Sequence, residues 1–195
     1  MRRPDVRRAW FTLLTVVLAA GFRAEVPAAW GPDGRPTEAA QEVLPLRTEL
    51  VFTATVKVAE LITIGQGPAG QRRFIPITGG EVTGPRLSGR VVPGSGDWQV
   101  LRQDGVIDLE ARYILETADG VRIAVVNRGL RVASPEVTAR MMKGDPVAPG
   151  EYYFRTAATF EAPVGSAYEW LNKAIFIGVA ERKSDAAIVH FYRVN

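Results

Sequence analysis

Residues 104–120 read DGVIDLEARYILETADG, and this segment decides the predicted fold. Apolar and charged residues alternate along it, which is typical of a β-strand with one buried face. An Asp-Gly pair lies at each end, and Asp-Gly favours a type I′ turn, which needs positive φ at both central residues. The segment therefore predicts a long strand with a tight hairpin on either side. Its apolar face carries Ile107, Leu109, Ala111, Tyr113 and Leu115.

A second alternating strand is predicted at 48–59, and further apolar or β-branched runs follow it along the chain. Strands joined by short turns, without a regular βαβ pattern, favour an antiparallel barrel or sandwich. We therefore predict an all-β, mainly antiparallel fold: a single closed or nearly closed β-barrel with one or two short helices. The inner face of 48–59 carries Leu50, Phe52, Ala54, Val56 and Val58. The further runs lie at 72–78, 80–92, 98–102, 121–127, 152–161, 174–182 and 186–194, and their turn signals include Gly79-Gly80, Gly94-Ser95-Gly96 and Lys183-Ser184-Asp185.

One helix has clear start and stop signals. Ser134 can cap it, Pro135 suits the first helical position, and Gly144 can end it. We expect this helix to cover one end of the barrel. A shorter helical turn is predicted around 166–171.

The composition excludes several kinds of chemistry. The 195 residues include no Cys and one His, and 47% are hydrophobic, which is ordinary for a globular domain. Disulfide scaffolds, thiolate metal sites, cysteine nucleophiles and histidine-rich metal sites are therefore excluded. We expect neither a metal nor a cofactor. His190 alternates with Val189 and Phe191, which favours a structural role over that of a general base.

The N-terminal segment resembles a secretory signal. Four Arg lie among the first eight residues, and an uncharged apolar run follows at 9–22, which is too short to span a membrane. We therefore predict a signal peptide at 1–28, a flexible lead-in at 29–46 and the barrel domain at 47–195. The protein is expected to be exported, periplasmic or secreted, with no membrane anchor after cleavage. A misassigned start would leave it in the cytoplasm.

Net charge argues against nucleic acid as a partner. Removing residues 1–28 deletes five of the 24 basic and two of the 21 acidic residues, which leaves 19 of each. The domain then lacks the basic footprint of a nucleic-acid binder. We expect a small-molecule ligand, and the sequence leaves homo-oligomerisation open.

The string Gly-x-Gly-x-x-Gly at 65–70 matches a dinucleotide-binding pattern. That pattern needs a helix after the last glycine, whereas 71–76 is strand-like. A glycine-rich hairpin loop is the better prediction.

Two clusters place charged side chains beside aromatic ones, and the second of them includes an arginine. Asp97 and Trp98 follow the predicted turn at 94–96, and Arg155 and Glu161 lie in the aromatic run 152–161. In a barrel cavity such groups could bind an acid or shift the pKa of a carboxyl group. The alternatives are a capping Asp, a core Trp and surface ion pairs. Arg112 lies on the polar face of its strand, either outside in water or inside a polar lumen.

Several strings resemble the DUF3237 (UPF0311) family, and the resemblance covers about residues 48–194. They are ITGGEVTGPRLSG (77–89), Gly96-Asp97-Trp98, Asp104-Gly105, Arg112-Tyr113, Asp119-Gly120, YFRT (153–156), Phe160-Glu161, WLNK (170–173) and FIG (176–178). The resemblance implies a compact β-barrel domain of uncharacterised function. The family's recurring polar and aromatic residues fall on Asp97, Trp98, Arg112, Asn127, Arg155, Glu161, Trp170 and Asn172.

Three functions remain open from the sequence. The leading hypothesis is a barrel that binds a small oxygenated metabolite at one end, through Trp98, Arg112, Asn127, Arg155, Trp170 and Asn172. The second is a cofactor-independent isomerase, cyclase or hydrolase with Asp97 or Glu161 as its acid or base. The third is a structural or assembly module whose barrel is filled by its own side chains.

Overall fold

A computed structural model describes residues 44–195. The predicted signal peptide (1–28) and nearly all of the predicted lead-in (29–46) lie outside the described residues. The strands are β1 (Thr48–Val58), β2 (Ile62–Gly67), β3 (Gly70–Thr83), β4 (Gly89–Leu101), β5 (Ile107–Thr117), β6 (Arg122–Val132), β7 (Tyr153–Glu161), β8 (Phe176–Arg182) and β9 (Ala186–Val194). Helix α1 spans Pro135–Lys143, and 3-10 helices span Pro149–Glu151 and Glu169–Lys173. No helix among residues 44–195 is long and apolar enough to cross a membrane.

Eight strands close into an antiparallel barrel. Neighbours follow in the order β1-β9-β8-β7-β6-β5-β4-β3, and β3 also pairs with β1, which closes the ring. β2 forms a hairpin with the first part of β3. The first and last strands lie side by side, with Thr48 opposite Val194. The predicted fold class is therefore confirmed.

Both hairpins predicted from the Asp-Gly pairs are present, but their turns differ from the predicted type. Asp104-Gly105 lies between β4 and β5, and Asp119-Gly120 lies between β5 and β6. Only the glycines have positive φ, 82° at Gly105 and 87° at Gly120. A type I turn followed by a left-handed glycine is a common three-residue hairpin loop. The type I′ prediction is wrong because the aspartates keep ordinary backbone angles.

Two glycine-rich strings predicted as turns lie inside strands. Gly79-Gly80 belongs to β3 and Gly94-Ser95-Gly96 to β4, where the strand register shifts at β-bulges. Bulges bend and twist strands, as closure into a barrel requires. A Cβ at Gly96 would clash with the Phe74 ring, so glycine allows close packing there. The turn predicted before Asp97 is therefore wrong.

Two further predictions are corrected locally. A register shift between Leu50 and Phe52 buries both Val51 and Phe52 and leaves Leu50 39% exposed, so Leu50 is not on the inner face. The helical turn predicted at 166–171 is a 3-10 helix that begins later, at Glu169.

Aromatic side chains fill one end of the barrel, which we call the filled end. Phe52, Phe160, Phe176 and Phe191 belong to four strands and are buried there. The ring centroids of Phe52 and Phe191 are 4.9 Å apart, and Phe160 meets Phe176 edge to face at the same distance. Burial of each such side chain contributes about 1.5–3 kcal/mol. The opposite end, which we call the open end, lacks this aromatic cluster.

Helix α1 has the predicted caps. The Val137 amide donates to Ser134 Oγ at 3.2 Å, and Gly144 ends the helix in the left-handed conformation. Met141, the buried residue of α1, faces the open end of the barrel. The helix therefore covers part of that end.

Candidate functional site

A cavity of about 550 Å³ lies at the open end. Its volume is within the range of small-molecule sites. Helix α1, the loop after β1 and the turn between β8 and β9 complete its wall. We call it the arginine cavity because three guanidinium groups line it. Its strand-borne polar residues include Arg73, Asp97, Gln99, Arg131 and Arg182.

Strand register explains why these side chains point inward. Asp97 pairs with Ala111 and Gln99 pairs with Leu109, and both partners lie on the inner face of β5. Directly paired residues point to the same side of a sheet. Arg131 likewise pairs with an inner-face residue of β5. The alternation that builds the core at the filled end therefore builds a polar wall at the open end.

A hydrogen-bond relay joins three residues of the wall. Arg73 Nη2 donates to Gln99 Oε1 at 2.8 Å. Gln99 Nε2 donates to Asp97 Oδ2 at 2.6 Å. Among residues 44–195, Asp97 Oδ1 and Arg73 Nε are buried without a hydrogen-bond partner. Such groups are uncommon in folded proteins, because burial without a partner costs about 1–3 kcal/mol.

Burial governs the ionisation of Asp97. Loss of hydration raises the pKa of its carboxyl group, while the hydrogen bond from Gln99 and the charges of Arg131 and Arg73 oppose this rise. The ion pairs of residues 44–195 do not include Asp97. The arginines therefore act on it through space, and burial has the larger effect.

The arginines also perturb one another. Burial lowers the pKa of Arg131 to about 10, and the charges of Arg182 and Arg73 add to this shift. Burial likewise lowers the pKa of Arg73. Glu60 and Lys183 line the cavity as well, so basic groups outnumber acidic ones. An anion at this site would relieve the repulsion among the guanidinium groups.

Further buried polar atoms lie in the same part of the barrel. Asn127 is on the same row of paired residues as Asp97, since both pair with Ala111. Burial and the charge of Asp97 raise the pKa of Tyr113. Tyr113 Oη, Asn127 Oδ1 and Thr156 Oγ1 are buried and find no hydrogen-bond partner between residues 44 and 195. Residues 44–195 contain no group of three His, Asp or Glu residues that could hold a metal.

The structure does not bring the sequence-predicted site residues together. Asp97 alone of them lines the arginine cavity, and Asn127 lies inward near it. Arg112 points outward, with its Nε 2.6 Å from Glu110 Oε1. Trp98 is 47% exposed and packs on Phe74 outside the barrel.

The other predicted residues have visible structural contacts or lie in solvent. Glu161 is exposed at the end of β7, and Arg155, on the same outer face, donates to the carbonyl of its neighbour. Asn172 donates to the Ala162 carbonyl and accepts from its amide. Trp170 packs beneath the Arg86 guanidinium, 4.3 Å from the ring centroid. Ligand contact by these residues stays a prediction.

Sequence reasoning missed the arginines and Gln99. The predicted strand at 121–127 ended too early, whereas β6 continues to Val132. Alternation from Ile123 through Asn127 leads directly to Arg131, so a longer strand would have placed it on the inner face. Arg73 lies in a predicted strand, but its direction could not be known before the ring was closed.

Comparison with known proteins gives a family and a fold. The family model "Protein of unknown function (DUF3237)" matches residues 46–194. A UPF0311 protein of Bradyrhizobium diazoefficiens is 41% identical over 149 residues, covering 76% of this chain and 97% of the relative. The crystal structure of a conserved protein of unknown function from Rhodopseudomonas palustris matches with a TM-score of 0.75 and 38% identity, covering 78% of this chain and 100% of that one.

More distant similarity leads to Penicillium herquei. A protein named as a hydroalkoxylation enzyme is 30% identical over 81 residues, which are 42% of this chain and 54% of the relative. The crystal structure of an enzyme from the same organism matches with a TM-score of 0.59 and 21% identity, over 78% of this chain and 97% of that one. The latter match shows a shared fold.

Proposed function

The chain belongs to the DUF3237 family, and because a fold does not imply an activity, we propose a function from the site: the protein binds a small, oxygen-containing organic anion in the arginine cavity. The observation that carries this proposal is the excess of inward-facing guanidinium groups, three against one strand-borne carboxyl group. Guanidinium groups offer paired donors that match carboxylate oxygens.

Two features support a ligand rather than a purely structural role for these arginines. Arg131 and Arg182 form no ion pair within residues 44–195, although outward-facing Arg112 and Arg128 both bind Glu110. The Arg73 Nε is buried and has no hydrogen-bond partner within the described residues. Inward guanidinium groups thus keep donors that a carboxylate or other oxyanion would satisfy.

Calorimetric titration with benzoate, succinate and phthalate tests the proposal. These probes carry one or two carboxylates on aromatic or aliphatic frames. Replacing Arg131 by Gln should weaken binding of the best probe by about tenfold or more, because a hydrogen bond to a charged group contributes about 1.5–3 kcal/mol.

The matched control is Arg128→Gln, which removes an outward-facing arginine from the same strand. It should leave affinity unchanged. Absence of binding by every probe, or equal affinities for wild type and Arg131→Gln, would reject the proposal.

A second candidate function is cofactor-independent acid–base catalysis by Asp97. It is favoured by the buried carboxyl group with one unpartnered oxygen, and by the relative named as a hydroalkoxylation enzyme. Hydroalkoxylation adds an O–H bond across a C=C bond and consumes no other reactant. Asp97 would take the hydroxyl proton as the C–O bond forms and return a proton to the carbon.

Hydroxy-alkene probes, whose hydroxyl group can add across their own double bond, test this candidate. The wild-type protein should make the vinyl NMR signals disappear, and Asp97→Asn should leave them unchanged. The control Asp108→Asn changes an exposed carboxylate of β5 and should retain the activity. Unchanged turnover in Asp97→Asn would remove Asp97 from the mechanism, and Glu161→Gln would then test the other predicted carboxylate.

A further inference from the structure

Gln99 determines which oxygen of Asp97 is free to carry a proton. A guanidinium group can only donate, so Gln99 must present Oε1 to Arg73. Its Nε2 then donates to Asp97 Oδ2 at 2.6 Å. Because Oδ2 already accepts this bond, a proton on the carboxyl group belongs on Oδ1.

Oδ1 lies where ionisation is costly. It is buried and has no hydrogen-bond partner in the part of the chain that the structure describes. A buried anionic oxygen loses its hydration and needs a direct partner to compensate. A protonated Oδ1 would instead offer a hydrogen-bond donor to an acceptor that enters the cavity.

The other charged and titratable groups around Asp97 come from every side of the cavity. Burial raises the pKa of Asp97 and so favours its neutral form, whereas the hydrogen bond from Gln99 and the charges of Arg131 and Arg73 favour the ionised form. In the free protein these influences oppose one another. The groups are Glu60 after β1, Arg73 on β3, Tyr113 on β5, Arg131 on β6, Tyr152 before β7, Arg182 on β8 and Lys183 after it.

We propose that an organic acid binds in the arginine cavity as its carboxylate and that the complex takes up one proton from solvent, held on Asp97 Oδ1. A carboxylate held by the guanidinium groups places a second negative charge beside Asp97. Two adjacent carboxylates cannot both stay ionised at low cost, so one of them takes a proton. This inference rests on the proposed function and specifies the protonation state in which the ligand is held.

Proton uptake gives affinity a definite pH dependence. Affinity is constant while Asp97 is already neutral in the free protein. It falls by about tenfold per pH unit once the free carboxyl group is ionised but the complex still holds the proton. Arg131 loses its charge only near pH 10, so the uptake at Asp97 is measured below about pH 8.

The experiment is calorimetric titration of benzoate into the wild-type protein, in two buffers of different ionisation enthalpy, at several values from about pH 5 to about pH 8. The difference in apparent enthalpy between the buffers counts the protons taken up. We expect uptake to approach one proton within this range and affinity to fall in parallel. Asp97→Asn should bind with no uptake and a flat profile, and Asp108→Asn should behave as wild type.

Each outcome has one meaning. Binding of benzoate without proton uptake anywhere in the range would overturn this inference and leave the proposed function standing. Uptake that persists in Asp97→Asn would overturn the assignment to Asp97. If benzoate, succinate and phthalate all fail to bind, the proposed function itself fails. The proton count on the wild type is informative even if Asp97→Asn does not fold.

Discussion

Burial and charge oppose each other at Asp97. One oxygen of its carboxyl group, Oδ2, accepts a hydrogen bond from Gln99, which in turn accepts one from Arg73. The other oxygen, Oδ1, is buried and has no hydrogen-bond partner among residues 44–195. A fold that needed only stability would replace such a group by an apolar side chain of similar size. An incompletely paired carboxyl group at a cavity wall therefore supports the proposed ligand site.

Asp97→Asn should make the protein more stable at neutral pH. Burial raises the pKa of Asp97 in the folded state, so the folded protein binds this proton more tightly than the unfolded chain does. Stability is therefore lost as pH rises from the unfolded pKa through the folded one, and the asparagine variant is spared this loss.

Urea unfolding of both proteins from about pH 4 to about pH 8 measures the difference. The gap in unfolding free energy should widen with pH and then level off. The control Asp108→Asn should show no such gap. A variant that is less stable than wild type at neutral pH would mean that the arginines stabilise an ionised Asp97.

The sequence could locate Asp97 but not its neighbours. A carboxylate beside tryptophan and glycines is conspicuous in the chain, whereas Arg131 looks like any charged residue near the end of a strand. Whether an arginine points into a barrel depends on the register of strands that are distant in sequence. Arg112 shows the converse, because its polar face turned out to be the outside.

At the scale of elements, sequence signals were reliable for hairpin turns and helix caps, because these structures depend on residues that are close together in the chain. The Asp-Gly pairs predicted both hairpins, and Ser134, Pro135 and Gly144 predicted helix α1. Glycines at 79–80 and 94–96 misled because the same residue serves turns, bulges and close packing. Only the pairing of β3 and β4 with their neighbours shows whether these glycines lie in a turn, at a bulge or at a close packing contact.

Ser134→Ala should cost about 1 kcal/mol of unfolding free energy, since it removes the side-chain acceptor for the Val137 amide. Ser134→Asp should restore this stability, because a carboxylate caps the amide and favours the positive end of the helix dipole. Chemical denaturation provides the measurement. Equal stability of the alanine variant and wild type would show that the cap contributes nothing.

At the scale of the whole barrel, the two ends differ in what they contain. Phenylalanine rings pack the filled end, and the arginine cavity occupies the open end. An eight-stranded barrel is wide enough either to be filled by side chains or to hold one small ligand. Here side chains fill one part of the length and a cavity occupies another, so stability and the proposed binding should depend on different residues.

Phe191→Ala should separate the two roles. Loss of a fully buried ring from the filled end should reduce the unfolding free energy by about 3–5 kcal/mol. Benzoate affinity of the protein that remains folded should stay within about twofold of wild type, because distant sites are nearly independent. A large loss of affinity in protein shown to be folded by circular dichroism would contradict this division.

The pairing of Thr48 with Val194 has a practical consequence. Both ends of the barrel sequence emerge at the filled end, on adjacent strands, and far from the arginine cavity. A tether, fluorescent reporter or biosensor surface joined at either point would leave the mouth of the cavity facing the solution. A circular permutant could be made by joining Thr48 and Val194 through a short peptide and opening the chain at 183–185. Its new chain ends would flank the cavity, where an attached reporter would respond to a bound ligand.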